Sequence, residues 1–189
     1  MADRNSIITL PHPHLRERSS KIKVITDEVN RVVEDMKTAT LDWEASRPHE
    51  VGVALAAVQI NKLVRIVIIR NDFDNKDDRS FAVLINPEII KTEGEPEYDH
   101  EGCLSVKDIY GIVPRYPKIR VKAMDASGND IRLRAEGFLA RVLQHEIDHT
   151  NGVMFIDHVK DEKSFFKLNS EGKLESITYE AVKKTGILR

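Results

Sequence analysis

The stretch Gln144-His145-Glu146-Ile147-Asp148-His149 places two histidines four positions apart, with a glutamate directly after the first. Residues 137–143 alternate apolar and polar side chains at helical spacing, which predicts a helix that runs to about Thr150 and ends at Asn151-Gly152. Positions i and i+4 lie on one face of a helix, so the two imidazoles can hold one transition-metal ion. The stretch therefore predicts a core-facing, metal-binding helix at the centre of the fold.

Glu146 follows the first histidine and has the chemistry of a general base that acts on metal-bound water. Asp148 and Gln144 are the nearest candidates for hydrogen bonds to the two imidazoles. The alternative is a solvated helix face with two histidines and two acids, since chance matches to H-E-x-x-H occur. The helical context favours the metal site, and a third ligand elsewhere in the chain would strengthen it.

The single cysteine of the chain, Cys103, lies in the stretch Glu101-Gly102-Cys103-Leu104-Ser105, where Gly102 permits a tight or bulged backbone. A lone cysteine forms no internal disulfide and in most proteins is a small buried apolar residue. Here it is the natural third ligand, which gives one sulfur and two nitrogens with a fourth position open for water. An open position is typical of a catalytic metal site.

Length and composition indicate an ordinary globular protein. The chain has 189 residues, of which 41% are hydrophobic and 32% are charged, and we expect a single catalytic domain over residues 1–189, with a core at about 7–165 and a tail at about 166–189. The net charge of −2 implies no general polyanion-binding surface, so no specific nucleic-acid partner is expected. No apolar run approaches the length of a membrane span and the N-terminus lacks a secretory apolar segment, so we expect a cytoplasmic protein with no membrane partner.

Residue patterns also predict the other elements. Thr26 and the acids after it predict the start of a helix that ends near Ala45. The pair Asn86-Pro87 is expected to end a strand. The stretch from Glu175 to Arg189 has mixed propensity and receives no assignment. Predicted strands cover residues 64–70, 81–87, 88–98, 110–115, 118–124 and 130–134.

Residues 51–60 are small and apolar apart from Gln59. Small residues let a backbone approach a ligand closely, and an amide in an apolar wall can orient a bound carbonyl. The alternative is a buried helix or strand end with a satisfied glutamine, and this stretch alone leaves both interpretations open.

Three stretches together resemble the peptide deformylase family. Residues 52–59 look like its first motif, G-x-G-x-A-A-x-Q; residues 101–105 match E-G-C-x-S; and residues 144–149 match Q-H-E-x-D-H. Their order and spacing fit, and the similarity extends over most of residues 7–160. Ala54 stands where the family has its second glycine, and its methyl group is expected to narrow the channel or perturb contacts with the substrate backbone. Val58 replaces a commonly seen proline.

The resemblance implies an α+β fold with antiparallel β-sheets packed around a central metal-binding helix. It implies a hydrolase that removes the N-terminal formyl group from formyl-methionine of newly made polypeptides, with these N-formylmethionyl nascent peptides as partners and with possible ribosome proximity. The expected metal is one divalent ion, Fe(2+) by resemblance, with Zn(2+), Ni(2+) or Co(2+) as substitutes. The expected roles are metal binding by Cys103, His145 and His149; catalysis by Glu146, Gln59 and the backbone N–H of Leu104; and substrate binding by Gly52, Val53, Ala54, Gly102, Phe138, Arg141 and Val142.

Two other functions compete with this one. A zinc peptidase also uses H-E-x-x-H and would cleave unformylated peptides. A catalytically impaired homologue would hold peptide without turnover, although the retention of Glu146 speaks against it. A purely structural metal site is the weakest alternative, because no fourth protein ligand is evident.

Overall fold

The computed structural model describes residues 2–47 and 49–188. Within these ranges, no helix has both the length and the apolar character needed to cross a bilayer. The helices are α1 (Asp27–Ala45), α2 (Gly137–Thr150) and α3 (Tyr179–Lys183), with 3₁₀ turns at Arg4–Ser6, Pro13–Arg16, Ala57–Ile60 and Phe155–His158. The strands are β1 (Ala54–Ala56), β2 (Ile66–Arg70), β3 (Phe81–Glu93), β4 (Glu97–Cys103), β5 (Val106–Arg115), β6 (Lys118–Met124), β7 (Asp130–Glu136), β8 (Phe165–Leu168) and β9 (Leu174–Ser176).

The strands form two antiparallel sheets. One sheet has the order β1-β2-β3-β6-β7, and the other has the order β4-β5-β8-β9. Helix α2 contacts β1 and β7 of the first sheet and β5 of the second, so it lies between them. The predicted α+β class, with antiparallel sheets around a central helix, is confirmed.

Strand β2 explains how the first sheet is covered on both faces. Val67 and Ile69 pack in one apolar cluster with Leu143 and Ile147 of α2. Their neighbours Ile66 and Ile68 point to the opposite face, where they join Val33 and Met36 of α1. A strand buried on both faces needs a continuous apolar run rather than alternation, which is what residues 66–69 supply.

The strand β3 continues through Asn86-Pro87, so the prediction that this pair ends a strand was wrong. Asn86 has a φ of +53°, and the register with β6 shifts between Ile85 and Glu88. The side chain of Asn86 bonds to both backbone groups of Ile22, at 2.9 and 2.7 Å. Proline is tolerated at such a bulge because no ladder hydrogen bond from its nitrogen is needed there.

The stretch after residue 165 is packed onto the second sheet. Strands β8 and β9 extend that sheet beyond β5. Val182 of α3 is fully buried, and Ile187 is 8% exposed, in a third apolar cluster with Leu15 and Phe155. The predicted tail thus contributes to the core of the fold.

Candidate active site

Three potential metal ligands meet at one point. His145 and His149 lie one turn apart on α2, and Cys103 is the last residue of β4. The Nε2 atom of His149 is 3.2 Å from the Sγ of Cys103 and 3.2 Å from the Nε2 of His145. One ligand atom from each of the three residues lies within 4.8 Å of the others. The structure therefore brings the predicted sulfur and two nitrogens together.

These donor atoms fit a divalent cation. Ligands of a tetrahedral ion such as zinc are about 3.3–3.6 Å apart, close to the two separations of 3.2 Å that His149 makes here. The Nδ1 of His145 is 2.9 Å from the Glu101 carboxylate, so the ring proton is held there and Nε2 faces the other two ligands. Burial lowers the pKa of His149 well below its ordinary value, which keeps this imidazole neutral, as a ligand must be.

The backbone beside Cys103 is irregular because of a packing contact. The register of β4 against β5 shifts between Glu101 and Cys103, so the bulge expected at Gly102 is present. A Cβ at Gly102 would overlap the ring of Tyr110, which lies on the facing strand. The Tyr110 hydroxyl is in turn bonded to Glu50. Glycine is therefore required at this position for Tyr110 to pack against the ligand-bearing strand.

Glu101 links the ligand His145 to two arginines. Its carboxylate accepts from Nε and Nη2 of Arg115 at 2.9 and 3.1 Å, and from Nη1 of Arg141 at 2.9 Å. Burial opposes ionisation, but the hydrogen bonds from His145 and Arg115 outweigh it and hold the pKa of Glu101 far below its usual range. A carboxylate behind a histidine ligand fixes the ring orientation and strengthens the ligand.

The hydrogen-bond partners proposed from sequence for the imidazoles were wrong. Gln144 bonds instead to the backbone N–H and C=O of Tyr116, at 3.1 and 2.8 Å. Asp148 bonds to Arg115 and His158. The Nδ1 of His149 is buried and has no partner among the residues that the structure describes.

Glu146 has the properties of a general base. It is 5% exposed, lines the cavity beside the ligands, and its Oε2 has no hydrogen-bond partner within residues 2–47 and 49–188. Burial raises the pKa of Glu146 to about 7. A base with a pKa near neutrality is well matched to proton transfer at physiological pH.

A cavity of about 160 Å³ opens beside two of the three ligands, Cys103 and His145. It is bounded by the end of β4, by β1 and by the first turns of α2. His100, which none of the sequence motifs indicated, borders it, and the centroid of its ring is 4.7 Å from that of Phe166. The lining consists of Val53, Ala54, Gln59, His100, Glu101, Gly102, Cys103, Leu104, Phe138, Arg141, Val142, His145 and Glu146.

The polypeptide deformylase family model matches residues 4–165. The chain belongs to this family. It is 42% identical to the peptide deformylase of Brachyspira hyodysenteriae over an alignment of 172 residues. This alignment covers 90% of this chain and 88% of the relative. It is 39% identical over 162 residues to that of Thermomicrobium roseum, covering 84% and 88%.

Solved deformylase structures share the fold. A peptide deformylase from Synechococcus elongatus in complex with actinonin superposes with a TM-score of 0.77 at 31% identity, over 96% of this chain and 88% of that one. The Legionella pneumophila peptide deformylase gives a TM-score of 0.71 at 36% identity, over 82% and 85%. The family is metal-dependent, and the ligand geometry of this chain fits that chemistry.

Gly52, the first residue of the first deformylase motif, differs from the next two residues in its position relative to the cavity. Val53 and Ala54 line the cavity, whereas Gly52 lies outside the lining. A Cβ at Gly52 would come within 2.6 Å of the Thr40 side chain on α1, and its N–H donates to Glu44 at 2.8 Å. The need for glycine here thus arises from packing against α1.

Gln59, the last residue of that motif, is buried and has hydrogen-bond partners at both ends of its amide. Its Oε1 accepts the N–H of Ala56 at 2.8 Å, as a satisfied buried amide would. Its Nε2 faces the Oγ of Ser105 at 3.2 Å and the Sγ of Cys103 at 3.5 Å. One end of the amide therefore belongs to the fold, and the other presents a donor beside the metal ligands.

Two candidate substrate-binding residues are held in different ways. Arg141 donates to Glu101 and to the carbonyls of Val113 and Glu97, so its guanidinium is engaged inside the protein. Phe138 is 52% exposed at the cavity mouth and makes an edge contact with Phe73 at 5.2 Å. Its exposed ring is free to meet a ligand that enters the cavity.

Proposed function

We propose that this protein is a metal-dependent hydrolase that removes the formyl group from the N-terminal formyl-methionine of newly made polypeptides. The observation that carries the proposal is the meeting of Cys103, His145 and His149 beside the buried Glu146. Membership of the polypeptide deformylase family supports the same activity. An open ligand position next to a general base is the arrangement of a hydrolytic centre.

The roles of the individual residues follow from their positions. Cys103, His145 and His149 would hold the ion, which when bound would supply Lewis-acid chemistry and lower the pKa of water to about 7. Glu146 accepts a proton from the attacking water and delivers it to the departing amine. Gln59 Nε2–H and the backbone N–H of Leu104 donate hydrogen bonds to the formyl oxygen as negative charge develops on it.

The small cavity accounts for the choice of acyl group. A formyl carbon carries only hydrogen, so a narrow space beside Glu146 admits it and excludes acetyl. We assign the methionine side chain to an apolar pocket formed by Val53, Phe138 and Val142, which line the cavity. Arg141 stabilises the rim through its bond to Glu101.

We further propose Fe(2+) as the resident ion, with Zn(2+), Ni(2+) or Co(2+) able to replace it. The mixed sulfur and nitrogen donor set suits all four ions. The thiolate of Cys103 makes a ferrous centre sensitive to oxygen, because the sulfur can be oxidised in stages. Because the substrates are nascent polypeptides, we assign the protein to the cytoplasm near ribosomes, as one catalytic domain over residues 1–189.

The proposal is tested by measuring metal content and turnover on protein purified without oxygen. We expect one divalent ion per chain, hydrolysis of formyl-Met-Ala, and no cleavage of unformylated peptides. Glu146→Gln should keep the ion and lose at least 100-fold in kcat, since general bases contribute about 10²–10⁴-fold. Glu95→Gln, at an exposed residue in the loop between β3 and β4, serves as the control.

Three results would overturn the proposal. Cleavage of unformylated peptides would indicate a zinc peptidase. An unmodified protein as slow as Glu146→Gln would indicate a homologue that binds peptide without turnover. A protein that binds no divalent ion would remove the metal site altogether.

A further inference from the structure

A network of ion pairs runs from the ligand His145 to a second surface cavity of the protein. The Glu101 carboxylate lies 2.9 Å from the Nδ1 of His145 and accepts a bidentate pair of hydrogen bonds from Nε and Nη2 of Arg115. The third guanidinium nitrogen of Arg115, Nη1, donates to Oδ2 of Asp148. His158 Nε2 lies 2.8 Å from the same oxygen. We call Glu101, Arg115, Asp148 and His158 the ion-pair network.

Burial increases along the ion-pair network towards the metal site. The side chains of Glu101 and Arg115 are each 5% exposed, that of Asp148 is 22% exposed, and that of His158 is 34% exposed. Asp148 and His158 border a separate surface cavity of about 360 Å³, together with Tyr98 and Tyr116. The outer end of the ion-pair network therefore lies outside the lining of the substrate cavity.

The geometry of Arg115 explains how the two ends are joined. A guanidinium group is planar, so bonds at Nε, Nη1 and Nη2 fix its orientation completely. Without Asp148, Arg115 could pivot about its contact with Glu101, and of the two arginines that hold this carboxylate only Arg141 would stay fixed. Glu101 accepts the hydrogen bond that orients the ring of His145. Greater movement of the carboxylate would therefore loosen the orientation of this metal ligand.

We propose that Asp148 and His158 are positioning residues for the metal centre: they hold Arg115 and Glu101, and through them the orientation of His145. The inference rests on the proposed function and extends it to residues that touch neither the substrate nor the ion. Asp148 orients Arg115 directly, and His158 holds Asp148 from the surface.

The chain offers a matched control for Asp148. Asp157 is 24% exposed, against 22% for Asp148, and each carboxylate is paired with one arginine side chain. The partner of Asp157 is Arg16, which lies outside the ion-pair network. Asp157 also adjoins His158 in the same 3₁₀ turn. Neutralising Asp157 therefore perturbs the same segment without breaking the ion-pair network.

The experiment uses the full chain loaded with Co(II). It compares the rate of Co(II) loss to EDTA, the visible absorption of the bound ion, and kcat and KM for formyl-Met-Ala. Loss of an outer partner of a metal ligand typically lowers metal affinity by about 10–100-fold. We expect Asp148→Asn to lose Co(II) about 10-fold faster and His158→Phe about 3-fold faster, both with altered absorption. His158→Gln keeps an N–H donor and should stay near the unmodified rate, as should Asp157→Asn.

Melting temperatures separate positioning from general stability. Positioning predicts that Asp148→Asn reduces the stabilisation gained on Co(II) binding, so the melting temperature of the loaded protein falls more than that of the metal-free protein. Equal losses in both forms would overturn the inference, as would equal Co(II) loss from Asp148→Asn and Asp157→Asn, or equal loss from the two His158 variants. If the unmodified protein binds Co(II) and hydrolyses formyl-Met-Ala, such a result rejects this inference and leaves the proposed function standing.

Discussion

Gln59 divides its amide between two tasks, and the division fixes which atom faces the cavity. The bond from Ala56 N–H to Oε1 sets the orientation of the amide, so Nε2 is directed at Ser105 and Cys103. A donor held in advance costs no reorganisation when charge develops on a bound carbonyl. The backbone turn that supplies Ala56 is thus part of what prepares the site.

Gln59→Glu tests this assignment with little change of shape. The new carboxylate still accepts from Ala56, but it offers no donor to the formyl oxygen and adds negative charge beside Cys103. We expect kcat to fall about 100-fold, in line with the loss of one oxyanion donor. Steady-state kinetics with formyl-Met-Ala measure it, with Ser105→Ala as the control for loss of the Nε2 partner. A kcat within threefold of the unmodified value would reject the role.

Ala54 is the residue at which the first motif departs from the family, and it lies at the cavity with 5% exposure. Removing its methyl group should let the substrate backbone come closer, so we expect Ala54→Gly to lower KM several-fold. The free energy of unfolding should fall by about 0.5–1 kcal/mol, the usual cost of glycine in a strand. Ala123→Gly is the control, because Ala123 also lies in a strand of the first sheet, is 7% exposed and is outside the lining. An unchanged KM for Ala54→Gly would show that the methyl group does not meet the substrate.

The residues that meet at the site differ in how far the sequence could predict them. The spacing of His145 and His149 follows from helix geometry alone, and Cys103 was the one thiol available. The function of Glu101 was not predictable in the same way. Its partners Arg115 and His145 are 14 and 44 positions away, and only the pairing of β4 with β5 and the docking of α2 bring them together.

At the level of elements, the hairpin of β4 and β5 sets the position of Cys103. Tyr110 occupies the space that a side chain at residue 102 would need, and its hydroxyl is tied to Glu50. The hairpin therefore carries the thiol close to its turn, and Tyr110 holds the same end of the hairpin against the loop that precedes β1. Displacement of Tyr110 should move the ligand-bearing strand.

Gly102→Ala should accordingly weaken metal binding. The added methyl group collides with the Tyr110 ring, and overpacking of this kind typically costs about 1–3 kcal/mol of stability. Titration with Co(II) should show weaker binding, and the double variant Gly102→Ala with Tyr110→Ala should recover part of it, because the colliding ring is gone. Tyr110→Ala alone is the control. If the double variant binds Co(II) no better than Gly102→Ala, contact with Tyr110 is not the reason for glycine.

In other elements, long-range contacts override what the local sequence pattern predicts. Asn-Pro is a strong signal for the end of a strand, yet β3 passes through it because Asn86 bonds to the backbone of Ile22, 64 positions away. The final stretch had no clear pattern because β9 is exposed along its whole length. The burial of Val182 depends on residues far away in sequence, such as Leu15.

On the scale of the whole molecule, one face of α2 packs in the apolar core and another carries the two histidines of the candidate metal site. Leu143 and Ile147 pack in the apolar cluster of the first sheet, while His145 and His149 turn towards Cys103 on the second. The apolar cluster around α1 contains none of the three metal ligands, whereas Cys103 and His145 both contact the cluster around Phe155. Much of the stability of the fold is therefore independent of the ion.

Removal of the metal tests this separation. A ligand that binds only the folded state at 100 times its dissociation constant stabilises it by about 2.7 kcal/mol. For a chain of this size, each kcal/mol shifts the melting temperature by about 2–4 °C, so EDTA should lower it by about 5–11 °C. The far-ultraviolet circular dichroism should stay unchanged at 25 °C, since the apolar clusters persist. Unfolding on chelation would instead mean that the ion holds the fold together, as in a zinc finger. The site would then be structural rather than catalytic.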